Sequence, residues 1–117
     1  MLDVQRELLP NGFLLILSPD VGCEPNEVKL TRALHRASRS SKYAVLVDCS
    51  LVECLSEEAV DLLLAYSFML HAQNRRLVMC HVPDPMRFHF LDLDEPSQPL
   101  LALTLLDAVQ EISRMEY

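Results

Sequence analysis

Residues Val45–Leu64 read VLVDCSLVECLSEEAVDLLL, and this stretch decides the fold. A short apolar strand ends in Asp48, a tight loop follows, and a helix opens at Ser56-Glu57-Glu58-Ala59. Such a junction aims the first backbone N–H groups of the helix outward, where a partner can reach them. Ser56 is a good N-cap, and the helix dipole favours Glu57 and Glu58 in the first turn. Carboxylates in that position point to a recognition surface rather than to a catalytic pocket.

Outward from this junction, the chain reads as alternating strands and helices. Asp3–Leu8 forms a weak alternating strand, and Pro10-Asn11-Gly12 punctuates it as a hairpin turn would. Phe13–Leu17 is a strongly apolar run that Pro19 limits, and Ser18–Asn26 is a loop. Asn26 is expected to cap a helix reaching about Ser40, with Val28, Leu30, Leu34 and Ala37 inward and Lys29, Arg32, Arg36 and Arg39 broadly opposite. Tyr43–Asp48 is a central strand.

The helix after Ser56 runs to about Asn74. Its face of Leu62, Leu63, Tyr66, Met69 and Leu70, extended by Leu64 and Phe68, is wider than a sheet-packed helix needs. Arg76–Val82 is a further strand. Asp84 and Pro85 then start a short helix ending near Leu93, and Pro96 and Pro99 bracket an acidic loop. Leu100–Leu103 is a last strand. Thr104 caps a closing helix through Met115, with Asp107 as a capping-box partner and Ala108, Val109 and Ile112 inside. The order β-β-α-β-α-β-α-β-α predicts an α/β fold with right-handed crossovers in two layers.

Size and composition bound the rest. At 117 residues the chain is expected to be one domain, spanning 1–117. Half its residues are apolar and only two are glycine, which argues against disorder and against a glycine-rich cofactor cradle. The net charge of −7 makes nucleic acid an unfavourable partner. No run approaches the roughly eighteen apolar residues of a membrane span, so no membrane insertion is expected. The N-terminus lacks a signal-peptide pattern, so a cytoplasmic location is the default.

Charge is uneven along the chain. Lys29, Arg32, Arg36, Arg39 and Lys42 lie in a stretch without acids between Val28 and Val47, whereas seven acids follow from Asp84 onward. A solvated helix face explains the basic stretch most simply; contact with a phosphate or an acidic partner is the sharper alternative.

The residues that could carry chemistry do not form a set. Cys23, Cys49, Cys54 and Cys80 lack the spacing of a zinc site and read as free thiols in a reducing compartment. His35, His71, His81 and His89 have no evident route to Cys49, Ser50 or Ser56, so no nucleophile–base pair emerges. HExxH, GxGxxG and P-loop motifs are missing. Asp48 could hold Mg²⁺ or accept a phosphoryl group, but the converging carboxylates and lysine such a site wants are lacking. Structuring the loop through Asp48 and Ser50 is its expected role. No enzyme activity, cofactor or metal is expected.

From about Leu9 to Ile112 the chain resembles a STAS domain, the anti-sigma factor antagonist family. The resemblance rests on an early apolar strand, a strand ending Asp48-Cys49-Ser50, and about five residues leading to a long apolar helix. The strand into Val82-Pro83, the short helix, and the Thr104-led helix with Ala108 complete the pattern. The resemblance implies a STAS-like mixed central sheet with about four helices.

In signalling members of that family the long helix opens Asp-Ser-Ser-Gly or Asp-Ser-Thr-Gly. A partner serine kinase phosphorylates the second hydroxyl residue, and the phosphate blocks binding. Here the matching residues are Ser56, Glu57, Glu58 and Ala59, so Glu58 occupies the phosphoacceptor position and cannot be phosphorylated. Glu58 and Glu57 supply fixed negative charge where a phosphoserine would add up to about two charges. Two readings follow: a permanently phosphorylated-like module, or ordinary helix-start acids in a junction whose switch has been lost.

The function implied is a non-enzymatic protein-binding module in bacterial signalling and transcription regulation, with a serine kinase-type anti-sigma factor as the partner class. Its expected surface comprises Asp20, Ser56, Glu57, Glu58, Asp61 and Leu64. The alternatives are a small-ligand or nucleotide-binding regulatory STAS domain and the accessory subunit of a lipid-transport ATPase. The apolar excess on the long helix leaves a homodimer open.

Overall fold

The computed structural model describes residues 2–19, 27–91 and 98–115. Strands β1 (Leu2–Leu8) and β2 (Gly12–Pro19) form an antiparallel hairpin, and Pro10 and Asn11 occupy the loop between the mutually bonded Leu9 and Gly12. Then come α1 (Val28–Ser38), β3 (Ala44–Asp48), α2 (Glu57–Ala72) and β4 (Arg76–Cys80). The chain continues through α3 (Asp84–Leu91), β5 (Leu100–Ala102) and α4 (Leu105–Met115). The sheet order is β1-β2-β3-β4-β5, with β2 to β5 mutually parallel. The expected α/β class, a mixed central sheet with four helices, is therefore what forms.

Alternation along the parallel strands sorts the core into two clusters. Phe13, Leu15, Val45, Val47, Leu77 and Met79 face α1, α2 and α3, where Leu34, Leu63 and Phe90 pack. Leu14, Leu46, Val78 and Cys80 face the other way and meet Ala108 and Ile112 of α4. Both faces of the central strands are covered, which explains why β3 reads as an unbroken apolar run. The two expected layers are the sheet and the α1–α3 side; α4 adds a partial third layer.

Several boundaries differ from expectation, each for a physical reason. Helix α1 starts after Glu27, whose side chain makes no capping bond to its own helix, and Asn26 lies outside the described residues. Strand β4 stops at Cys80 because His81 turns into the left-handed region (φ 56°). Asp84 is helical, not a flanking cap, and Pro83 accepts the bond from Met86 N–H. Val109 lies exposed, not inside; Thr104 Oγ1 does accept from Asp107 N–H. On α2, Met69 and Phe68 are exposed, and Ser67 is buried in their stead. The C-terminal end of α2 closes with Asn74 in the left-handed region (φ 59°), while Arg75 N–H bonds to Leu70 O and Asn74 N–H to His71 O.

Arg75 joins α1 to the β3 side of the sheet. Its guanidinium donates to the carbonyls of Ser38 (2.6 Å) and Ala37 (3.2 Å) at the end of α1 and of Lys42 (2.7 Å) ahead of β3. Partial burial lowers its pKa from the ordinary arginine value. Among the described residues no helix is long and apolar enough to cross a membrane.

Candidate interaction site at the start of the long helix

Strand β3 delivers the chain to the C-terminal edge of the parallel strands, and the loop after it turns on Asp48. Asp48 Oδ1 accepts from Ser50 N–H at 3.0 Å, and Oδ2 accepts from Ser50 Oγ at 3.1 Å. Cys49 N–H donates to Cys80 O at 3.0 Å, tying the loop to β4. Val52 and Leu55 are buried, so the loop is anchored before α2 begins.

Ser56 is the N-cap of α2: its Oγ accepts from Ala59 N–H at 3.1 Å. The same hydroxyl donates to Glu27 Oε1 at 3.1 Å. Glu27 Oε2 accepts from Leu2 N–H at 3.0 Å, so one buried carboxylate bridges the starts of β1 and α2. Glu58 returns the contact, its Oε2 accepting from Glu27 N–H at 2.9 Å. That bond satisfies a backbone donor at the head of α1 with an anion, which the helix dipole favours.

Glu57, Glu58 and Asp61 are all exposed. Leu64 is half-buried, with part of its side chain packed against the core. Glu57, Asp61, Leu64 and the exposed Phe68 follow helical spacing along α2, giving a ridge acidic at its start and apolar further on. Asp20 lies outside the described residues. Glu27 and Arg75 were not among the residues singled out from sequence, because their partners are remote along the chain.

Among the described residues, the cysteines and histidines form no reactive set. Cys49 and Cys80 are buried free thiols, each pushed up to about 12, chiefly by burial, with the negative charge of Asp48 adding to it. Cys54 is a free, exposed thiol, and Cys23 lies outside the described residues. The four histidines are exposed, and the described residues contain no cluster of three or more potential metal ligands. A crevice of about 420 Å³ does lie at the ends of β3, β4 and β5, lined in part by Cys49, Ser50, His81, Asp84 and Arg87.

No family profile and no curated protein sequence matches the chain. Solved structures do. A serine-to-glutamate variant of RsbS from Moorella thermoacetica superposes with a TM-score of 0.76 at 13% identity, covering 96% of each chain. An anti-sigma factor antagonist from Mycobacterium paratuberculosis gives 0.74 at 21% identity, over 97% of this chain and 95% of that one. The anti-sigma factor antagonist SpoIIAA in its unphosphorylated form gives 0.68 at 13%, over 95% and 97%. The chain has the STAS fold. At identities this low, the likeness establishes the architecture alone.

Proposed function

We propose that this STAS domain is a non-enzymatic regulatory module that binds a protein partner through the start of α2. It would work in the cytoplasm, like an anti-sigma factor antagonist whose phosphoacceptor position holds a permanent anion. The observation that carries this reading is the exposed carboxylate of Glu58 in the first turn of α2, fixed by Glu27 N–H. A charge that is held in place and open to solvent presents the same edge at all times, without a modification step. Glu57 and Asp61 extend that edge, and Leu64 and Phe68 offer the apolar contact that usually dominates binding energy.

A serine kinase-type anti-sigma factor is the partner class. The test compares the wild type with Glu58→Ser for phosphorylation by, and affinity for, a serine kinase encoded beside this chain. The reading expects an unmodifiable wild type and a variant that gains phosphorylation or binds more tightly. If the variant gains neither, Glu58 is not a phosphate mimic.

The crevice at the ends of β3–β5 supports a second reading, a small-ligand regulatory domain. ATP or GTP should then raise the melting temperature by mass action. No shift with either nucleotide would remove their support for it.

A further inference from the structure

A second surface, independent of the α2 edge, lies on the far end of α1. Arg32, Arg36, Arg39 and Lys42 line an open groove of about 690 Å³ whose apolar part is Leu8 and Phe13. Arg6 of β1 flanks Arg36 beside it, and Glu7 is the one acid among the described residues lining this region. Among the described residues, Arg6, Arg32, Arg36 and Arg39 form no ion pair and no side-chain hydrogen bond. Among the described residues, Lys42 Nζ bonds only to Pro10 O, at 3.1 Å.

The fold gives these cations no structural task. The helix dipole favours positive charge near the end of α1, but the carbonyls there already have donors. Arg75 takes Ala37 and Ser38, Ser38 Oγ takes His35, and Ser40 Oγ takes Ala37. Arg32 and Arg36 are also like charges one turn apart, an arrangement that opposes helix formation. In a chain of net charge −7, five unpaired or nearly unpaired cations around one groove make a local positive field complementary to a partner of opposite charge.

We propose that this groove docks an acidic protein segment carrying an apolar anchor. The guanidiniums of Arg32 and Arg36 on α1 and of Arg39 at its C-cap follow one face over about 10 Å, at about 1.5 Å rise per residue. That is a linear array suited to successive carboxylates rather than a convergent cradle for one phosphate. The anchor sits on Leu8, which is 68% exposed beside the arginines, with the buried Phe13 at the floor of the groove. A long nucleic acid is disfavoured because the remaining surface is acidic.

The test uses a fluorescein-labelled dodecapeptide of glutamates around a central Leu-Leu pair, read by fluorescence anisotropy on the full chain. The wild type should bind it, more weakly as salt rises from about 50 to about 300 mM. Arg32→Glu with Arg36→Glu should raise Kd about tenfold or more, and Arg32→Gln with Arg36→Gln should do so to a lesser extent. Leu8→Ser should raise Kd about threefold.

Arg87→Glu with Arg114→Glu removes the same charge elsewhere and should leave Kd within about twofold. Glu58→Ser, which tests the α2 edge, should also leave it unchanged, so failure of one surface is separable from failure of the other. Equal loss in the Arg87/Arg114 variant, indifference to Leu8→Ser, or equal binding of a glutamine-for-glutamate peptide would overturn the proposal. So would displacement of the peptide by inorganic phosphate, or tighter binding of an oligothymidine than of the peptide.

Discussion

Glu58 Oε2 accepts a hydrogen bond from the backbone N–H of Glu27 at 2.9 Å, so a side chain from the start of α2 holds the start of α1. The reciprocal link runs from Ser56 Oγ to Glu27 Oε1. Two helices separated by a strand and a loop thus share one hydrogen-bonded junction, with β1 attached through Leu2 N–H. Glu58, exposed in the first turn of α2, is thus part of the framework that joins the two helices.

Removing the Glu58 carboxylate should therefore cost stability as well as charge. Glu58→Ala is expected to lose about 1 kcal/mol in urea unfolding, because an acceptor for a helix-head N–H disappears. Glu58→Gln keeps an acceptor and should lose less. Equal stability of Glu58→Ala and wild type would contradict the contact.

Glu27 is the more vulnerable partner. Glu27→Ala leaves the buried Leu2 N–H without its acceptor, removes the partner of the part-buried Ser56 Oγ, and should cost about 2–3 kcal/mol. Ser56→Ala removes the α2 cap and should cost about 1 kcal/mol. In a double-mutant cycle the pair should cost less than the sum of the singles; strict additivity would mean that the two side chains do not interact.

Arg75→Ala should destabilise by about 2–3 kcal/mol, since the end of α1 and the Lys42 carbonyl lose a shared donor. Arg75→Lys should recover only a small part, because an ammonium cannot reproduce the planar fork that reaches three carbonyls. Recovery to wild-type stability by lysine would contradict this account.

Stability should also fall at alkaline pH because of Cys49 and Cys80. Both thiols have folded pKa values raised from an ordinary value of 9.0 to about 12. The unfolded chain releases these protons first, so their contribution is intact below about pH 9 and is lost as pH climbs through about 12. A Cys49→Ala, Cys80→Ala chain should show a flatter decline in unfolding free energy over that window. An equally steep decline would place its cause elsewhere.

How much was legible in the sequence depended on the range of the interaction. The β3–loop–α2 junction is local: an apolar run, a serine N-cap and two first-turn acids all point the same way, and Ser56 caps as expected. The head of α1 was not legible, because its N–H is satisfied by Glu58, 31 residues away, and nothing in the neighbourhood of Asn26 signals that. Arg75 was hidden for the same reason, its acceptors lying 33 to 38 residues back. The layering required sheet order: only once β2, β3 and β4 are adjacent do Leu14, Leu46 and Val78 make a second face for α4.

The most direct test of the central claim is the Glu27 amide itself, followed by NMR hydrogen exchange in the wild type, Glu58→Gln and Glu58→Ala. The account predicts a protected amide in the wild type, partial protection with glutamine, and fast exchange with alanine while amides in β3 stay protected. An unprotected Glu27 amide in the wild type, or one indifferent to alanine at position 58, would contradict it.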